Sequence, residues 1–185
     1  GLLDQYGDSW RSLDWKSEES QKIRFAVLFS IVSLFNKTSN ISIVDVGCGL
    51  GHLYQFLRDE GFMKKYKIDY TGYDISSKFL EIAKRKFPEA RFEIKDILAD
   101  CSPKKFDYVF CSGVFNILFS DSVEHDSFVK KMILKMYELC NLGAAVNFLS
   151  ASAIYLIPQK EEQELRKYYY FKPEDIIEYI RSITS

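Results

Sequence analysis

Three glycines at alternate positions, Gly47, Gly49 and Gly51, follow the apolar run that contains Asp45, and His52-Leu53-Tyr54 then opens a helix-compatible stretch. This order describes a buried strand, a tight turn stripped of side chains so that a ligand can touch backbone, and a helix N-terminus offering unpaired N–H groups. Such an arrangement suits a nucleotide-like ligand. A dinucleotide fingerprint needs glycine at its first, third and sixth places, the last for close helix–strand packing, and the sixth place here is His52. The reading as an NAD-dependent oxidoreductase is weakened accordingly. Two further acids fall at strand ends. Asp74 closes KIDYTGYD, about 20 residues beyond the turn, where a carboxylate can take both hydroxyls of a ribose in charge-assisted hydrogen bonds. RFEIKDIL then ends a third strand at Asp96-Ile97. Singly, each acid has a plainer reading: Asp45 as a cap of the following turn, Asp74 as a companion of the cap Ser76, Asp96 as a turn former. Their succession in one short chain favours the ligand reading.

The segment Ile43 to Leu53 resembles the first motif of class I S-adenosylmethionine (SAM)-dependent methyltransferases, hydrophobic-Asp-x-Gly-x-Gly-x-Gly, matched at Asp45, Gly47, Gly49 and Gly51. The resemblance extends from about Ser17 to Ile183. It is closest to the small methyltransferase type 12 group, which looks like W-x-S-x-x-S-Q-x-x-R-F near its N-terminus, here Trp15 to Phe25. It implies cofactor contacts from Asp45, Gly47, Cys48, Gly49 and Gly51 around the methionine end, from Asp74 at the ribose, from Asp96 and Ile97 at the adenine, and from Ile75 beside Asp74. Ser112 and Gly113, after FDYVFC, are implied at the methionine end and near the acceptor, with Val114, Phe115 and Asn116 as further candidates. The implied cofactor is SAM and the product S-adenosylhomocysteine (SAH).

These residues must be held by alternating elements. A helix from Ser17 to Phe35 carries so many apolar residues that burial on more than one face is expected. Strands are expected at about 41–46, 68–73, 90–94, 106–111 and 144–149, and helices at about 50–60, 76–87, 126–141 and 173–183. Alternation of this kind requires an α/β fold, a doubly wound and mostly parallel sheet with ligands beyond the carboxyl ends of its strands. The resemblance makes it Rossmann-like, with an N-terminal helical cover. The family sheet normally adds a sixth strand and an antiparallel seventh. They are expected to be missing here, leaving either a cut terminus or an edge closed by another chain.

At 185 residues the chain is expected to form one domain, residues 1–40 its cover and first helix and 41–185 its α/β core. A net charge of −1 argues against nucleic acid, and the basic clusters Lys64-Lys65-Lys67 and Lys84-Arg85-Lys86 read as solvated faces. The apolar run Phe25 to Phe35 is too short and too broken by serines to span a membrane, and the acidic, aromatic N-terminus does not read as a signal peptide; a cytoplasmic location is expected. The four cysteines, 48, 101, 111 and 140, form no C-x-x-C pair and the two histidines lie far apart, so neither a metal site nor a disulfide framework is expected.

Methyl transfer from a sulfonium is an in-line displacement whose leaving group needs no proton, so the absence of a catalytic triad is no objection. A general base is needed only for a protonated nucleophile. The Asp/Asn-Pro-Pro-Tyr sequence of nucleic-acid and protein-glutamine amino methyltransferases is absent after the fourth strand, where this chain reads Ser112 to Asn116. A small-molecule, non-nucleic-acid acceptor is therefore expected. Tyr6, Trp10, Trp15, Phe115, Tyr155 and Tyr168 to Phe171 could wall its pocket, and the two tryptophans make the N-terminal segment a lid candidate. The alternative is a SAM-binding regulatory or scaffold protein without turnover.

Overall fold

The computed structural model describes residues 2–13, 17–36, 39–100, 104–118, 121–152 and 167–184. Five parallel strands, β1 (Ser42–Val46), β2 (Asp69–Asp74), β3 (Arg91–Ile94), β4 (Phe106–Cys111) and β5 (Cys140–Val146), form one sheet in the order β3-β2-β1-β4-β5. The order reverses between β1 and β4, which opens a crevice at their carboxyl ends. The architecture is the α/β, doubly wound, Rossmann-like one.

Alternation along each strand sends side chains to two cores. Ile43, Tyr70, Phe92, Tyr108 and Phe110 pack under α2 (Glu18–Phe35), α3 (His52–Asp59) and α5 (Ser77–Lys86). Val44, Val46, Tyr73, Val109 and Cys111 pack under α6 (Ser122–Leu139) and α7 (Pro173–Thr184). N-terminal to these lie α1 (Leu2–Tyr6) and a 3-10 turn, Trp10–Leu13. A short α4 (Phe62–Tyr66) follows α3, so the helix expected over 50–60 ends at Asp59 and the chain turns at Gly61.

Three sequence expectations need correction. The apolar content of α2 does not bury it on two faces: Gln21, Phe25, Leu28, Phe29 and Val32 are inward, but Ile23, Val27, Leu34 and Phe35 are exposed, Leu34 by 73%. Apolar character permits burial without enforcing it; the sheet and α3 offer one contact stripe, spaced i, i+4, i+7, i+8, i+11. Helix α6 starts at Ser122 rather than 126, because the Asp121 carboxylate accepts from the N–H groups of Val123 and Glu124 and caps the first turn. Strand β5 starts at Cys140 rather than 144, directly on the end of α6, with an irregularity between its pairings to Phe106 and Tyr108. No helix among the described residues is long and apolar enough to cross a membrane.

Candidate functional site

The glycine turn closes on its own backbone. Gly47 and Cys48 both donate to Tyr73 O, at 2.8 and 3.0 Å, and Gly51 donates to Cys48 O at 2.9 Å. Gly47 has a φ of +73°, and a Cβ there would lie 2.2 Å from Val114 Cγ2, so backbone conformation and the approach of the post-β4 loop both demand glycine. Gly51, the residue before α3, has a φ of +78° and faces the rings of Phe87 and Phe92, where a Cβ would lie at 3.0–3.2 Å. It draws α3 down onto the sheet. The side chain of Cys48 is buried in the same core, and desolvation raises its thiol well above the ordinary range, leaving an unreactive sulfur.

Asp74 ties the second strand end to this turn. Its Oδ2 accepts from Gly49 N and its Oδ1 from Ser76 N, both at 2.8 Å, while Ser76 caps α5 through Phe79 N. The capping arrangement weighed from sequence is thus present, and it leaves room for a ligand, because a carboxylate has about four acceptor sites and only two are used here. Ile75 beside it is 77% exposed. Asp96 accepts from Leu98 N at 2.9 Å and shapes the turn after β3, and Ile97 is buried behind it.

Around these residues lies a cleft of about 400 Å³. Its floor is Val46, Gly47 and Gly49; one end is Asp74, Ile75, Phe79, Lys95, Asp96, Ile97 and Leu98. The other end is Ser112, Gly113, Val114, Ile117, Phe128 and Met132, with Ser12 from the N-terminal segment at the rim. Eight of the eleven cofactor candidates line it. Asp45 and Cys48 instead line a small cavity beside it, with Gln21, Phe25, His52 and Leu53, and Gly47 and Ser112 border both spaces. Gly51 lines neither.

Other candidates serve the framework. Phe115 is fully buried and stacks on Phe148 at 5.6 Å. Asn116 Oδ1 accepts from Leu149 N at 3.0 Å, so its side chain joins the segments that follow β4 and β5. Trp15, Tyr155 and Cys101 lie outside the described residues, as does the side chain of Trp10. The N-terminal segment approaches the site through Asp8, whose carboxylate meets Lys86 Nζ at 2.6 Å and His52 Nε2 at 3.4 Å.

Asn147 went unrecognised in the sequence. Its Nδ2 donates to Ser112 Oγ and its Oδ1 accepts from Gly113 N, both at 2.9 Å, so it clamps the turn after β4. The signal was a lone polar residue in Ala144-Ala145-Val146-Asn147-Phe148. Lys95, paired with Asp100 at 2.7 Å over the Tyr73 ring, was missed for want of any local pattern.

A protein-family profile described as a methyltransferase domain matches residues 37–167. The chain is similar to Rv1506c of Mycobacterium tuberculosis, which carries a provisional methyltransferase name: 37% identity over 84 residues, 45% of this chain and 48% of that one. The match thus spans about half the length of that curated relative. Among solved structures it resembles the SAH-bound magnesium protoporphyrin IX methyltransferase of Synechocystis PCC 6803, at a TM-score of 0.65 and 21% identity over 94% of this chain and 81% of that chain. The SAH complex of the plantazolicin methyltransferase BpumL also has a TM-score of 0.65, at 18% identity over 99% of this chain and 73% of that one. At such identities the likeness is one of fold.

Proposed function

The chain belongs to the methyltransferase-domain family, and from that membership we propose that it transfers the methyl group of SAM to a small, non-nucleic-acid acceptor. The observation that carries the reading is the order of chemistry along one cleft: side-chain-free backbone at Gly47 and Gly49, a preset carboxylate at Asp74, then Ile75 and Ile97 with Asp96 at the far end. The residues fit the cofactor. The cleft volume lies within the range of small-molecule sites. Asp74 keeps acceptor capacity for ribose hydroxyls, the exposed face of Ile75 offers an apolar surface to a flat ring, and Asp96 can accept from an amino group at the ring edge. Bound SAM supplies an electrophilic methyl on a sulfonium. The chain contributes orientation: Asn147 holds Ser112, which borders both the cavity and the cleft, and Gly113, which borders the cleft, where the amino-acid end and the acceptor would meet.

Beyond that turn the cleft is walled by Val114, Ile117, Phe128 and Met132, a surface that suits an acceptor with an apolar face. The solved relatives act on magnesium protoporphyrin IX and on plantazolicin, which supports a non-nucleic-acid acceptor here. Titration calorimetry with SAM, SAH and NAD tests the reading. SAM and SAH should bind with similar strength, since their nucleoside and amino-acid parts are identical, and NAD should not. Binding of NAD in preference to both overturns it.

A further inference from the structure

We propose that Tyr70 is a positioning residue of this site: through the Asp45 carboxylate, its hydroxyl sets how strongly the small cavity behind the glycine turn takes the primary ammonium at the amino-acid end of the cofactor. The inference rests on the SAM reading above and adds to it a residue that no glycine-turn motif contains.

Asp45 stands where its strand sends Ile43, into the core beneath α2, and it is 2% exposed. An ionised carboxylate in such a place needs partners. It has one hydrogen bond among the described residues, from Tyr70 Oη to its Oδ2 at 2.8 Å. The carboxylate also borders the cavity shared with Gln21, His52 and Ser112. No described residue lining that cavity carries a permanent positive charge. His52 comes nearest, but its Nδ1 meets Gln21 Nε2 at 3.2 Å, its Nε2 points to Asp8, and burial lowers its pKa. The other groups facing Asp45 are anionic or neutral: Asp74 and Tyr70 on β2, Cys48 on the turn and Cys111 on β4. Among the described residues the cavity therefore holds an anion with no counter-ion lining it, and Gly47 and Ser112 join its wall to that of the cleft.

Burial pushes Asp45 up to about 7, with Asp74 adding to the rise and the Tyr70 hydroxyl opposing it. Near neutral pH the carboxylate thus stands between its two forms, and the hydroxyl favours the charged one that an ammonium requires. The ring of Tyr70 packs on Tyr54 at 5.1 Å and Phe92 at 6.0 Å, contacts that phenylalanine would keep. Among the described residues the hydroxyl's one hydrogen-bond partner is Asp45.

The experiment measures SAH affinity from pH 6 to 8.5 by calorimetry for the parent, Tyr70→Phe and Tyr54→Phe. Tyr54 belongs to the same aromatic cluster but donates outward, to Glu89 at 2.9 Å. If removing the hydroxyl raises Asp45 by about one pH unit, Tyr70→Phe binds SAH about fivefold more weakly at pH 7 and within about twofold of the parent at pH 8.5. Tyr54→Phe should follow the parent throughout. 5′-Methylthioadenosine, which keeps the nucleoside and thioether but lacks the ammonium, should bind the parent and Tyr70→Phe alike at every pH. Should Tyr70→Phe melt too early to assay, Asp45→Asn reads the same coupling, its SAH affinity losing the pH dependence seen in the parent. A parent that binds SAH while the Tyr70→Phe profile is unshifted, or an equal loss for methylthioadenosine, overturns the proposal alone. In the fallback, an Asp45→Asn affinity as pH-dependent as the parent's does the same. A parent that binds neither nucleoside overturns the SAM reading with it.

Discussion

Asp45, the penultimate residue of β1, and Asp74, the last of β2, lie near the carboxyl ends of neighbouring parallel strands, yet the molecule treats them in opposite ways. Asp74 is half-buried, and each oxygen accepts a backbone N–H, from Gly49 and Ser76. Asp45 is almost wholly buried and has a single hydroxyl donor. The first region is preorganised: turn and helix cap are already tied to the carboxylate by hydrogen bonds. The second is held in suspense, since desolvation outweighs what Tyr70 contributes and raises the carboxyl to about 7. Under the proposed reading, one sheet would fix a ligand's neutral hydroxyls through a finished carboxylate and leave its charged end to complete an unfinished one.

The largest effect is expected at the finished carboxylate. Asp74→Ala should weaken SAH binding by about 2–4 kcal/mol, on the order of 30- to 1000-fold, if both ribose hydroxyls bond to it. Because Gly49 N and Ser76 N also lose their acceptor, thermal melts without ligand should fall too, by about 1–3 kcal/mol in stability. Parent-like affinity measured well below the melt would remove Asp74 from the ligand and leave it a turn clamp. Next comes the turn the two acids share. Gly47→Ala places a methyl 2.2 Å from Val114 Cγ2 at a φ of +73°, and should cost about 2–4 kcal/mol in chemical denaturation. Adding Val114→Ala should restore part of it; no restoration would mean the cost is backbone strain alone.

At the unfinished carboxylate the sign reverses. Asp45 is raised from 3.8 to about 7 in the folded chain, so between those values the folded state holds a proton that the unfolded state has released. Stability contributed by the protonated form is full below about pH 4 and lost as pH rises through 7. Asp45→Asn, which can still accept from Tyr70, should gain about 1–3 kcal/mol over the parent at pH 8 and little at pH 4.5, while binding SAH more weakly. Melts showing no gain at pH 8 would mean that Asp45 is not held against its charge. The smallest effect belongs to Asp69→Ala, at the far end of the strand that Asp74 closes. Asp69 is exposed, with loose ion pairs to Arg91 at 3.7 Å and Lys104 at 4.0 Å, and its loss should move stability by about 0.5 kcal/mol or less. SAH affinity should stay at the parent value; a loss approaching that of Asp74→Ala would make the whole strand, rather than its tip, the determinant.

What the sequence by itself determined is local. Strand–turn–helix order, the alternation that demands a parallel sheet, the glycine turn and the acids Asp74 and Asp96 near strand ends all depend on residues within a few positions of one another, where dihedral preference and side-chain period act directly. The tertiary structure decided what depends on register. Which apolar stripe of α2 meets the sheet, that Gly51 faces Phe87 and Phe92, that Cys48 points into the core and that β5 begins at Cys140 each follow from how the elements dock. Asn147 reaches Ser112 and Gly113 across 34 or so residues of chain, and Tyr70 reaches Asp45 across 25, because β5 pairs with β4 and β2 with β1 in one register. A shift of one residue would turn each partner to the opposite face of the sheet, and no spacing in the linear chain records that choice.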